Sequence, residues 1–109
     1  MPLKNTFRIS DPDIQNVFKK GKKLTAKILV VFFIPNKLAF SRFAVIVPNK
    51  AAKTIVKRNR IKRILWAQIS EEKHKKSGFD IVFKTQGFVT ARPTEIKTEM
   101  DSLFNKISL

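Results

Sequence analysis

Lys27-Ile28-Leu29-Val30-Val31-Phe32-Phe33-Ile34 is a run of β-branched and aromatic residues too uniformly apolar for an exposed edge, and it predicts a central strand. The segments on either side must then supply the layers that cover it. Downstream, Pro35-Asn36-Lys37 reads as a turn. Ala39 to Val47 then returns as a second long strand, with Phe40, Phe43, Val45 and Val47 set against Ser41, Arg42 and Ala44, and is expected to be its hairpin partner. Pro48-Asn49-Lys50 ends it. Upstream, Asp11-Pro12-Asp13 combines an acidic N-cap, a proline at the first helical position and a second acid in the first turn. Ile14, Val17 and Phe18 recur at helical spacing and Gly21 stands where a C-terminal cap belongs, so a short helix is expected over 12–20.

Thr54 is the expected N-cap of a second helix running to about Lys73, closed by Glu71, Glu72 and the lysines from Lys73 to Lys76. After the break at Ser77-Gly78, Phe79, Ile81 and Phe83 alternate with Asp80, Val82 and Lys84 as a further strand. Gly87 to Ala91 reads as a loop. A last helix follows Arg92-Pro93-Thr94, with Ile96, Met100, Leu103, Phe104 and Ile107 on one stripe. Helix, two or three strands, helix, strand, helix is the order of an α+β sandwich. The chain has 109 residues, no repeats and no low-complexity linker, so residues 1–109 are expected to form a single domain.

Charge separates this domain from an ordinary one. From Ile14 to Ser70 there is no Asp or Glu, while fourteen Lys and Arg fall in the same stretch and culminate in Lys53-Thr54-Ile55-Val56-Lys57-Arg58-Asn59-Arg60-Ile61-Lys62-Arg63. Like charges oppose compaction, so a one-sign surface points to a polyanionic partner. Ile61 is the one apolar residue in the basic stretch from Lys57 to Arg63, which lacks the apolar face a membrane-surface helix requires. No apolar run approaches the roughly 20 residues that span a bilayer. Without Cys there is neither a disulfide nor a thiolate metal site, and the expected setting is the cytoplasm, with nucleic acid as the partner and no membrane.

At about 100° per residue, Ile61, Ile64, Leu65 and Ile69, with Gln68 among them, form the arc of the second helix that must face the sheet. Asn59, Arg60, Lys62, Arg63 and Trp66 lie opposite, with Lys53 and Lys57 toward the margin, and such a mixture of planar guanidinium forks and mobile ammonium groups suits an RNA backbone. The alternative is a solvated face, although such faces usually interleave acids. Trp66 has two open roles, stacking on RNA or packing at home. Phe18 with Phe32 or Phe33 could floor a groove for single-stranded nucleic acid, rimmed by Lys19, Lys20, Lys22 and Lys27, unless these rings belong to the core. The single His74 has no companion at ligand spacing, and the acids are not clustered to hold divalent ions, so neither a catalytic residue nor a metal site is expected on the protein. Long strands ahead of the basic helix leave no room for the short preceding helix of a DNA-binding helix-turn-helix.

Lys57-Arg58-Asn59-Arg60-Ile61-Lys62-Arg63 resembles the Arg-Asn-Arg motif of the bacterial ribonuclease P protein subunit, and Ile14-Gln15-Asn16-Val17-Phe18-Lys19-Lys20-Gly21-Lys22 is similar to that family's first helix and the glycine ending it. The resemblance covers nearly the whole chain. It implies an αβββαβα sandwich with a left-handed βαβ crossover around the basic helix, of the type named for the second domain of a small-subunit ribosomal protein. It further implies a non-catalytic subunit of an RNA-based endoribonuclease, whose RNA, holding Mg2+, removes the 5′ leader of precursor tRNA. The partners so implied are the ribonuclease P RNA and precursor tRNA, with no DNA. Arg58, Asn59, Arg60, Lys62 and Arg63 would meet the catalytic RNA, and the expected contact set extends to Lys50, Lys53, Lys57 and Trp66. Ile14, Phe18, Lys19, Lys22, Lys27 and Phe32 would form the leader cleft. Ile14 stands where the family commonly has an aromatic, Lys50-Ala51-Ala52-Lys53 departs from its Lys-Lys-then-Gly stretch, and Trp66 replaces a frequent Arg. A ribosomal-type protein that binds ribosomal RNA without a role in cleavage shares the same charge and core.

Overall fold

The computed structural model describes residues 9, 11–37, 41–69, 78–87, 89 and 92–107. Their order is α1 (Asp11–Lys20), β1 (Lys22–Thr25), β2 (Leu29–Pro35), β3 (Arg42–Ile46), a 3-10 turn (Asn49–Ala51), α2 (Ile55–Gln68), β4 (Phe79–Thr85) and α3 (Pro93–Lys106). The strands form one four-stranded mixed sheet ordered β1-β2-β4-β3. Period-two alternation gives this sheet two different faces. Leu29, Val31 and Phe33 of β2, with Phe79, Ile81 and Phe83 of β4, enter a core shared with Ile61 and Leu65 of α2 and Ile96, Met100 and Leu103 of α3. Phe32, Ile34, Ala44, Ile46 and Val82 face the other way, against Ile14, Val17 and Phe18 of α1.

One expected pairing is corrected. Residues 29–35 and 42–46 are not hairpin partners, because β4 lies between them, antiparallel to β2 and parallel to β3. The hairpin of β2 is with the short β1, in the register Lys22↔Phe33 to Thr25↔Val30. Its turn is braced from outside: Glu99 of α3 accepts from the Ile28 and Leu29 amides at 2.9 and 3.2 Å, and the Gln86 amide donates to the Ala26 carbonyl at 2.6 Å. The second helix ends at Gln68, where the Ile69 N–H turns back to the Trp66 carbonyl at 3.1 Å. The predicted closing residues Glu71 to Lys76, together with His74 and Phe40, lie outside the described residues.

Gly21 is required by crowding between backbones. Its N–H donates to the Val17 carbonyl at 2.8 Å, closing α1. A methyl group there would be driven against that same carbonyl oxygen and would stand 2.8 Å from the Phe33 carbonyl oxygen. Neither oxygen belongs to a side chain that can swing aside. Gly21→Ala is therefore expected to destabilise the fold by about 2 kcal/mol, within the usual range for overpacking, measured as a lower midpoint of urea unfolding.

Candidate nucleic-acid interface

The start of α2 is built against ordinary helix electrostatics. Thr54 caps it, its Oγ1 accepting from the Lys57 N–H at 3.2 Å, but the first turn has no acid and the last turn has no base. Lys57 and Arg58 instead stand in the first turn, where the macrodipole is already positive, an arrangement that costs a few tenths to about 1 kcal/mol per cation. Burial of Ile61 and Leu65 holds the helix in spite of this. The arrangement concentrates positive potential on one outward face.

That face carries Asn59, Arg60, Lys62 and Arg63, all exposed, with Lys50, Lys53 and Lys57 exposed beside it. Among the described residues none of the six cations on it or beside it forms an ion pair. Two members of the expected set behave differently. Arg58 is half-buried, and its Nη1 donates to the Ala52 carbonyl at 2.9 Å. Seven residues of helix bring it to within about 20° of arc of the buried Leu65, so its guanidinium braces the turn into α2, under which Ala51 and Ala52 are buried. Trp66 is partly buried and packs against the main core.

A cleft of about 420 Å³ opens on the α1 side of the sheet, lined among others by Lys23, Val30, Phe32, Lys50, Lys84 and Gln86. At its margin the rings of Phe18 and Phe32 meet edge to face, centroids 4.9 Å apart, while Phe33 lies in the main core. Ile14 packs into the same cluster as Phe18 and Phe32. Each ring also carries an ammonium: Lys84 Nζ is 5.9 Å from the Phe18 centroid and Lys23 Nζ is 5.8 Å from that of Phe32. Aromatic floor and cationic rim are thus one unit, preset by cation–π attraction.

The cationic rim differs from the expected one for a reason of register. Lys23 is paired with Phe32 and shares its face, whereas Lys22 is paired with Phe33 and projects toward the other. Lys19, Lys22 and Lys27 are exposed but do not line this cleft; Lys23, Lys50 and Lys84 do. Lys84 could have been recognised from its alternation with Phe83, but the choice of Lys23 over Lys22 needed the strand pairing. Among the described residues no three His, Cys, Asp or Glu side chains gather as metal ligands, and no helix is long and apolar enough to cross a membrane.

Fold and surface together define a small α+β protein with one exposed cationic helix face and one aromatic cleft lined by lysines. Comparison with known proteins narrows this class: the model of the Ribonuclease P family matches residues 3–108, and the chain belongs to that family. It is 31% identical over 99 residues to the ribonuclease P protein component of Alkaliphilus oremlandii, covering 89% of this chain and 86% of that one. To the component of Clostridioides difficile it is 36% identical over 75 residues, or 67% and 65% of the two chains. The solved structure of the ribonuclease P protein from Thermotoga maritima superposes with a TM-score of 0.79 at 25% identity, covering 94% of this chain and 98% of that one.

Proposed function

We propose that this chain is the protein subunit of a cytoplasmic ribonuclease P ribonucleoprotein. In this reading the outer face of α2, with Arg60, Lys62 and Arg63 at its centre, binds the catalytic RNA. The cleft on the α1 side of the sheet holds the unpaired 5′ leader of precursor tRNA, stacking it beside Phe32 and its neighbour Phe18 and neutralising its phosphates with Lys23, Lys50 and Lys84. The observation that carries the reading is the exposed, acid-free cationic face of α2 on a member of this family. Mg2+ is assigned to the RNA subunit, where it would supply the hydrolytic chemistry. The protein's own part is to hold and align two RNA segments, and its side chains take no part in bond cleavage.

Isolation of the full chain from a bacterial host under mild salt tests this against the ribosomal alternative. A single structured non-ribosomal RNA recovered with the protein supports the proposal. Ribosomal RNA fragments recovered in its place would favour a ribosomal-type role.

A further inference from the structure

Ile55 and Val56 are 65% and 75% exposed, the large apolar side chains that the described surface leaves uncovered. β-Branched residues are mediocre helix formers, and in the first turn of α2 these two gain nothing from burial. Val56 continues into a shallow groove of about 550 Å³ along the helix, lined by Val56, Arg60, Arg63, Ile64 and Ala67. The spacing is that of one helical stripe, so an apolar floor and two guanidinium groups face the same occupant.

A hydrophobic protein partner would have to cover both guanidiniums and match them with acids. A phosphate backbone alone would satisfy the arginines and leave Val56 in water. An unpaired nucleotide satisfies both, offering a flat base face for the aliphatic floor and a phosphate for the cations. We propose that this groove seats one unpaired nucleotide of the catalytic RNA, its base laid on Val56, Ile64 and Ala67 and its flanking phosphates held by Arg60 and Arg63. The inference rests on the RNA-binding role assigned to α2 above and adds a base contact to what would otherwise be a purely electrostatic face.

The test uses the full chain and an intact bacterial ribonuclease P RNA, with affinity measured over a salt series and base reactivity mapped by chemical probing. Val56→Ser is expected to weaken binding about fivefold, as loss of a partly buried apolar contact would. The slope of log affinity against log salt should stay unchanged, because no phosphate contact is lost. One or a few bases protected by the unaltered protein should become reactive, and Val56→Leu, which keeps the floor apolar, should retain both affinity and protection. Val56→Ser binding with undiminished affinity and the same base protections overturns the inference while leaving the electrostatic role of α2 standing. Failure of the unaltered chain to bind the RNA overturns both.

Discussion

Replacing Arg60 and Arg63 together by alanine is expected to weaken binding to the catalytic RNA by roughly 100-fold at moderate salt. Each removes a hydrogen bond between charged groups, worth about 1.5–3 kcal/mol where it is well formed, and exposure to solvent places both at the lower end. The more specific signature is the salt dependence. Each phosphate contact contributes about −0.7 to −0.9 to the log–log slope, so losing two should flatten it by about 1.4 to 1.8. Both side chains are exposed and, among the described residues, unpaired, so unfolding midpoints should stay within about 0.5 kcal/mol of the parent. Arg58→Ala is the contrasting control: it removes the donor to the Ala52 carbonyl, and its first effect should be on stability. An unchanged slope in the double variant would show that the RNA-binding surface lies elsewhere.

Arg42→Met is expected to cost about 4 kcal/mol of folding stability, the range found when one partner of a buried ion pair is removed. Asp80 is buried in β4, and Arg42 of β3 holds it with two bonds, Nε to Oδ1 at 2.8 Å and Nη2 to Oδ2 at 2.6 Å, while Asn36 donates to Oδ1 at 2.9 Å. The third guanidinium nitrogen reaches Asp13 of α1 at 3.4 Å, so one side chain ties two strands to that helix. Removing the arginine leaves the carboxylate, in a side chain 8% exposed, held by the Asn36 amide in place of the two guanidinium bonds. Asp80→Asn should cost less, about 2 kcal/mol, because Arg42 is 23% exposed and can turn toward water. For a domain of this size the larger loss lowers the melting midpoint by roughly 15–30 °C. Hydrogen bonding to Asp80, more than offsetting the effect of burial, raises the Arg42 pKa above its ordinary value. The stability linked to that shift is present at all pH values below the ordinary arginine pKa and goes only as pH rises through the raised one. Midpoints of the two variants that differ little from the parent would show that the pair is not the tie between β3 and β4.

The elements with strong local signals were legible in the chain. The Thr54 cap, the alternation of Phe79, Ile81 and Phe83, and the stripe from Ile96 to Ile107 each rest on neighbours within a few residues, and all three are present. Strand order was not legible, because periodicity says which face a side chain takes and not which strand lies beside it. Pairing β2 with β3 would bury much the same residues as inserting β4 between them. Lys22-Lys23-Leu24-Thr25 holds a single large apolar side chain, too little to announce an edge strand, and it is that strand's register that puts Lys23 on the cleft side. The tie between Arg42 and Asp80 spans 38 positions and leaves no local trace. The half-buried position of Arg58 was legible too, because the same helical geometry that turns Arg60 outward turns Arg58 toward the buried side.

The role proposed for the chain is to position RNA for a cleavage that the RNA subunit performs. Its most direct test is removal of the 5′ leader from precursor tRNA at a magnesium concentration too low for a bacterial ribonuclease P RNA to act efficiently alone. Leader removal restored when the protein is added to the RNA, and absent with the protein and magnesium alone, is the predicted result. Cleavage at the mature 5′ end by the protein without the RNA subunit, or no gain on adding the protein to the RNA, would overturn that role.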